Sequence, residues 1–328
     1  MRAVTQNTYG SAGVFQLCEV DRPDIGGDEV LIRVHGAGVD RGVWHLMTGL
    51  PYVGRLAFGL QAPKTAVPGM DLAGVVAAVG DHVTRFRPGD EVFGIGKGAY
   101  AEYARAAEAK LAPKPTNLTF AQAAAVPISG LTALQAVRDH GEVSAGDRVL
   151  IVGASGGVGT YAVQLAKAFG AHVTGVCSSG KVDLVRSLGA DHVIDYARED
   201  FAARAERYDV IVDIGGGSSL ARLRQTLTSN GTLVIVGSEG GGRWFGGIDR
   251  QLRASMLSPF IGQKLGSFIN RENHQDMLVL KQLIETGDVT PAIDRTFPLE
   301  AAGDAVQYVA AGRTRGKAVI AVDASGGT

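Results

Sequence analysis

A chain of 328 residues with 45% hydrophobic and 20% charged residues is long enough for two globular domains. Its formal net charge of -1 supplies no basic field to hold nucleic acid or an anionic membrane. Two cysteines, Cys18 and Cys177, cannot build a disulfide framework, Met1 to Gln6 lacks a secretory apolar core, and no apolar run approaches the roughly 20 residues of a membrane span. A cytoplasmic protein is expected.

Up to about residue 120 the chain reads as strands and loops. Short apolar runs at Glu29 to Val34, Leu72 to Val79 and Asp90 to Ile95 are separated by turn signals such as Arg87-Pro88-Gly89-Asp90. Thr119 and Pro127 mark helix starts, and the apolar stripe continues through Leu131 to Val137. From Arg148 the pattern alternates. Strands are expected at Val149 to Val152, His172 to Cys177, His192 to Ile194, Asp209 to Ile214 and Thr232 to Val236. Helices are expected at Gly159 to Phe169, Val182 to Leu188 and Ser219 to Leu227. Strands spaced by helices imply right-handed crossovers and a parallel sheet. After about residue 260 the alternation weakens. A helix near Gln275 to Glu285, a strand near Ile293 to Phe297, a helix at Leu299 to Ala310 and a strand at Ala318 to Val322 complete the chain.

The expected fold class is therefore α/β. A doubly wound parallel sheet at about 121–285 is inserted into a discontinuous β-rich domain made of 1–120 and about 286–328.

The motif with the most chemical content is Val152-Gly153-Ala154-Ser155-Gly156-Gly157-Val158-Gly159. It follows a strand and opens a helix, the setting in which a glycine pattern becomes a dinucleotide fingerprint. Ser155, Gly156, Gly157 and Val158 offer bare backbone and a helix N-terminus to a pyrophosphate. The residue that reads the adenosine ribose should lie about 20 positions beyond the last loop glycine. Ser178 and Ser179 stand there instead of Asp or Glu, with Lys181 close by. Hydroxyls and an ammonium suit a 2′-phosphate, so NADPH is the expected cofactor. The alternative is an ordinary polar turn that discriminates little.

Five segments, in this order, carry a family resemblance. They are Pro68 to Gly74, Arg87 to Val92, Ser129 to Ala133, Ala154 to Gly159, and Ser187 to Asp191 with Asp195-Tyr196. Over nearly its whole length the chain resembles the medium-chain dehydrogenase/reductase superfamily, and within it the zinc-independent quinone oxidoreductases and plant enone reductases. The resemblance implies a Rossmann domain inserted in a GroES-like catalytic domain. Zinc-dependent relatives carry a cysteine where this chain has Asp40, His-Glu where it has Met70-Asp71, and a cysteine or acid where it has Ile128. Met70 and Ile128 cannot serve as thiolate or imidazole ligands, and the four-cysteine structural lobe is missing, so no metal site is expected. Gly42 stands where those relatives relay the alcohol proton.

The same resemblance places Asp40, Thr132 and Lys317 around the cofactor. Asp40 has a second reading as a turn cap before a helix at Gly42 to Met47, and Thr132 as a helix-satisfied threonine. His45 replaces a family lysine near the nicotinamide and is either a proton donor or a surface residue. Trp44 and Tyr52 either wall the substrate pocket or belong to the core. Tyr196 follows a short strand and is expected beside the adenosine phosphate. Gly215, Gly237 and Ser238 lie at carboxyl ends of strands, where the crevice should be. Residues 238–247 read as a lid or as a long surface turn.

The function these residues imply is NADPH-dependent hydride transfer to a quinone or an enone. Two alternatives stand beside it: a non-enzymatic NADPH-binding redox sensor, and an alcohol dehydrogenase with atypical ligands. Family analogy adds a homodimer, with Thr232 to Val236 and the residues just after it supplying the sheet edge.

Overall fold

A computed structural model describes residues 1–237 and 242–322, which form two compact units. The first comprises Met1–Leu131, Arg271–Gly287 and Pro291 onward; the second comprises Thr132–Asn270 and Asp288–Thr290.

The first unit is β-rich. Strands β1 (Arg2–Thr5) and β2 (Gln16–Glu19) form an antiparallel ribbon. A second sheet holds β3 (Glu29–Val39), β4 (Asp71–Val79), β5 (Glu91–Ile95), β6 (Tyr103–Ala107) and β7 (Leu111–Pro113). Two strands from the end of the chain complete it, and β3 is its longest member. Its alternate residues Val30, Ile32 and Val34 are buried with Leu72, Val76, Val92 and Leu111, the period-two burial of a sheet with one covered face.

The parallel sheet of the second unit is built from β8 (Arg148–Val152), β9 (His172–Cys177), β10 (His192–Asp195), β11 (Tyr208–Asp213), β12 (Leu227–Ile235) and β13 (Lys264–Ser267). The spatial order is β10-β9-β8-β11-β12-β13, with every neighbouring pair parallel. Renumbered within the unit this is the 3-2-1-4-5-6 order of a dinucleotide-binding sheet, with its switch point between β8 and β11. Leu150, Ile211, Leu233 and Ile235 fill one side of the sheet as the near-continuous apolar runs of doubly covered strands require. The chain then returns to the first unit as β14 (Ile293–Pro298) and β15 (Lys317–Ala321); β15 pairs antiparallel with β3.

Helix starts obey the capping chemistry. Thr119 accepts from Gln122 N and Gln122 closes a capping box on the helix Phe120–Ala124, while Ser219 accepts from Arg222 N at the helix Leu220–Thr226.

The structure corrects two expectations. The expected boundary near 286 lies at 270/271, because the helix His274–Glu285 belongs to the first unit. Its ring and backbone groups are tied there: His274 Nδ1 lies 2.5 Å from Leu111 O, and Asn117 Nδ2 donates to Ile284 O at 2.8 Å. Thr232 to Ile235 is also not an edge. Lys264–Ser267, too short and polar to read as a strand, pairs beyond it and forms the edge.

Candidate active site

In the second unit the strand β8 ends at Val152, and Gly153 turns the chain with φ 89°. Gly156 caps the helix Gly157–Ala168, so Gly157 and Val158 present their backbone at its first turn, and the Ser155 side chain is buried beside them. A Cβ on Gly159 would sit 2.2 Å from Gly153 O, so only glycine lets this helix start so close to the strand end. Bare backbone and a helix N-terminus converge on one spot, which is what a pyrophosphate needs. The residues present fit a nicotinamide dinucleotide.

The crevice beyond β11 and β12 has a fixed floor. Gly215 N donates to Val152 O at 3.0 Å, and a Cβ on Gly237 would meet Ile214 O at 1.9 Å. Beneath these turns Arg250 Nη1 bonds the fully buried Asp213 carboxylate at 2.5 Å and Ser218 O at 2.8 Å, and its Nη2 donates to Gly237 O at 2.8 Å. Burial raises the Asp213 pKa above its ordinary value, and the Arg250 guanidinium offsets only part of that. Nothing local in the sequence announces Arg250; its partners come from three separate loops. Ser238 lies outside the described residues, as does the first part of the segment 238–247. The rest of that segment contains the short helix Gly242–Phe245. Thr132 is half-buried on the helix Pro127–Gln135.

At the carboxyl ends of β9 and β10, Ser178, Ser179 and Lys181 lie beside Tyr196, whose backbone N bonds Cys177 O and whose side chain is 64% exposed. Counting along the chain overlooks an acid here. Parallel pairing sets Asp195 opposite Cys177, and Ser179 Oγ donates to Asp195 Oδ2 at 2.5 Å. That hydrogen bond, despite some desolvation, holds the Asp195 carboxyl below its usual value, aided by Arg198 at 3.6 Å. Burial and the Asp195 charge together push the Cys177 thiol up to about 11.

In the first unit a charged network is sealed where β3, β4 and β15 meet. Lys317 Nζ donates to Asp40 Oδ1 at 2.5 Å, to Ser129 Oγ at 3.1 Å and to Asp71 Oδ2 at 3.4 Å. Ser129 Oγ also donates to Asp40 Oδ1 at 2.9 Å, and Ile128 N donates to Asp71 Oδ1 at 2.9 Å. Burial would raise both carboxyls. For Asp40 the Lys317 ammonium and the hydrogen bonds from Asp71, Lys317 and Ser129 outweigh burial, and its pKa falls below the ordinary value. For Asp71 burial and the neighbouring Asp40 charge dominate, and its pKa lies well above. The network therefore holds one ammonium, one carboxylate and one protonated carboxyl, with Asp71 sharing its proton with Asp40. The Tyr100 hydroxyl, 3.4 Å from Gly38 O, is pushed well up by burial and by both aspartates.

This network corrects two expectations. The expected place of Lys317 is against the cofactor, but its side chain is 1% exposed and its ammonium is committed to three protein oxygens. Asp40 does occupy the N-cap position of the helix Arg41–Thr48, yet its side chain makes no capping bond, because Lys317 and Ser129 claim it. His45 is half-buried rather than a surface residue: its Nδ1 lies 2.6 Å from Leu50 O and its ring meets Trp44 edge-on. Trp44 packs against the core of the first unit. Tyr52 is half-buried beneath the Arg55 guanidinium, 5.0 Å from its ring centre. Among the described residues no group of three or more His, Cys, Asp or Glu is arranged to hold a metal ion. The donor set at Asp40, Met70, Asp71 and Ile128 does not fit zinc, since its two carboxyls are joined to an ammonium.

The class these features define is a nicotinamide-nucleotide oxidoreductase. Residues 26–116 match the alcohol dehydrogenase GroES-like domain, and residues 188–320 match a zinc-binding dehydrogenase domain. The chain is 33% identical to 2-methylene-furan-3-one reductase of Solanum lycopersicum, over 98% of this chain and 79% of that protein. It is 31% identical to quinone oxidoreductase of Homo sapiens, over 94% of each. The quinone oxidoreductase of Coxiella burnetii superposes with a TM-score of 0.87 at 29% identity, covering 98% of this chain and 99% of that one. The chain belongs to the medium-chain dehydrogenase/reductase superfamily, in its quinone and enone oxidoreductase branch.

Proposed function

We propose that the protein carries hydride from NADPH to a quinone or an α,β-unsaturated carbonyl, without zinc. The observation that carries this reading is the Lys317–Asp40–Asp71 network, in which an ammonium already neutralises the acids at the positions where zinc relatives hold their metal. Bound at the glycine turn, NADPH would supply a hydride; with one proton from solvent, the acceptor leaves reduced by two electrons and the cofactor leaves as NADP⁺. A conjugated acceptor delocalises the arriving charge and needs no Lewis acid. The chain's own work is to anchor the pyrophosphate at Gly156 to Val158 and to hold the crevice loops through Gly215 and Gly237.

Lys181, Ser178 and Arg198 support a 2′-phosphate site, while Asp195, bonded to Ser179, favours the competing reading of a 2′-hydroxyl and NADH. Steady-state oxidation of both cofactors with a quinone and an enone, on metal-stripped protein, decides among these readings. Turnover should persist without metal, and Lys181→Ala should raise KM for NADPH about 10-fold while leaving NADH within about twofold. Equal effects on both cofactors remove Lys181 from a phosphate site. Tight binding with no turnover on any acceptor favours the redox-sensor reading, and activity restored only by zinc favours the alcohol dehydrogenase.

We also propose a homodimer built on the β13 edge. Ile248, Leu252 and Met256 recur every four residues on the helix Ile248–Leu257 and are exposed together with Trp244, Phe245, Phe260 and Ile269. So much apolar surface beside an open strand edge suits a second copy of the same face. Sedimentation should give a dimer, and Leu252→Glu with Met256→Glu should give a monomer; a wild-type monomer at micromolar concentration refutes the interface. The two free cysteines, one buried, fit a cytoplasmic setting.

A further inference from the structure

The first unit contains a cavity of about 480 Å³, within the usual range for small-ligand sites. Its apolar wall is formed by Leu46, Phe58, Val67, Met70 and Ile95. Met70 precedes Asp71 of the buried network, and its Cε lies 3.5 Å from where a Cβ on Gly42 would stand, so the cavity reaches the network's end of β4. The opposite wall is charged. Glu29 is paired with Arg105 at 3.3 Å, and Glu272 is paired with Lys110. Lys64 and Lys97 also line the cavity, and among the described residues no carboxylate pairs with either. Four cations thus face two carboxylates, and the excess charge of this wall is positive in a chain whose net charge is -1.

We propose that this cavity seats the acceptor, and that the acceptor is an unsaturated carbonyl with an apolar body and an anionic end group, a carboxylate or a phosphate. The inference rests on the reductase reading above and names the substrate class for it. The apolar wall takes the carbon skeleton by burial, and Lys64 and Lys97 take the anion by charge-assisted hydrogen bonds. Glu29 and Glu272 do not repel it, because Arg105 and Lys110 neutralise them. A neutral quinone or enone of the same body would fill the apolar part and leave the two ammonium groups in water.

The test compares a methyl enone with a pentyl tail against the same enone with its tail ending in a carboxylate, and again in a phosphate. The wild-type protein should favour an anionic acceptor about 10-fold in kcat/KM, mainly through KM, and the preference should shrink as salt is raised. Which anion is preferred separates carboxylate from phosphate. In the Lys64→Gln/Lys97→Gln double variant the ratio of anionic to neutral kcat/KM should fall close to one, and Lys64→Arg/Lys97→Arg should keep it. Equal use of neutral and anionic enones by the wild type, or a preference that survives the double glutamine variant, overturns the proposal. Calorimetry with the saturated carboxylate ketone reads the site without turnover. If no enone is reduced but this ketone binds the wild type and not the double variant, the reductase reading falls and the anion site stands. If the ketone binds neither protein, the anion site falls.

Discussion

Lys317→Met is expected to lower the stability of the protein by about 3–5 kcal/mol, among the largest losses any single substitution should cause. The methionine fills much of the space of the lysine stem, so the loss is electrostatic rather than a cavity. Asp40 would stay ionised beside Asp71 with no ammonium, in a site where its side chain is only 10% exposed. Adding Asp40→Asn to Lys317→Met removes the stranded charge and should recover at least half of the loss, since removing both partners of a buried pair costs far less than removing one. Urea unfolding of the wild type, each single variant and the double variant measures this. A double variant no more stable than Lys317→Met would mean that the pair is not coupled.

The pH dependence has a definite sign for each group. Asp71 is raised above 3.8, so the folded state keeps a proton that the unfolded chain loses, and the stability it contributes declines as pH climbs from 3.8 through its folded value. Asp40 is lowered, so its contribution is present above 3.8 and is lost as pH falls through its folded value. Lys317 is raised, so its contribution is complete below 10.5 and disappears as pH rises through its folded value. Asp71→Asn should therefore gain on the wild type as pH rises between about 5 and 8, because the asparagine has no proton to give up.

The parts of this fold written in local sequence are legible, and the parts made by distant contact are not. His172–Cys177 reads as a strand because an apolar β-branched run lies between a turn and a serine cluster, and it is a strand over those residues. Thr119 reads as a helix start from its own chemistry and closes a capping box. Lys264–Ser267 has no such pattern; it becomes a strand because β12 offers an open ladder beside it. The helix His274–Glu285 is readable as a helix, but its allegiance to the first unit depends on Leu111 and Asn117, more than 150 residues away in sequence. The candidate site divides in the same way. The glycine turn is contiguous and its role can be argued from spacing. Asp40 and Lys317 are 277 residues apart, so sequence reasoning assigns each to the cofactor separately, with no means of seeing that they meet each other. Asp195 escapes because an offset counted along the chain ignores what a parallel neighbour brings alongside. The one faint signal for Lys317 is a charge opening an otherwise apolar strand, Lys317–Ala321.

Two glycines three residues apart in the phosphate turn should respond to alanine in opposite ways. At Gly159 the new Cβ would lie 2.2 Å from Gly153 O and 2.8 Å from the Ala154 backbone, neither of which can move without displacing the end of β8. The helix Gly157–Ala168 must back away from the sheet. Gly159→Ala should therefore cost about 1–3 kcal/mol of stability as an overpacked contact. Its amides would no longer converge on the pyrophosphate, and NADPH affinity should fall on the order of 100-fold, about 2.8 kcal/mol. At Gly156 the backbone is extended, φ -83° and ψ 176°, and a Cβ would make only ordinary contact at 3.5 Å with Gly153 O. Gly156→Ala should leave the thermal midpoint of the free protein within about 2 °C of the wild type, as expected for a change within about 0.5 kcal/mol. Its methyl group would instead project from the cap of the helix, where a diphosphate must touch bare backbone, and NADPH affinity should fall at least about 10-fold. Thermal unfolding without cofactor and calorimetric titration with NADPH separate the two roles: one glycine serves the packing of strand and helix, the other the approach of the ligand. If Gly156→Ala binds NADPH as tightly as the wild type, the pyrophosphate does not rest on this turn, and the cofactor must be held by the crevice loops at Gly215 and Gly237 instead.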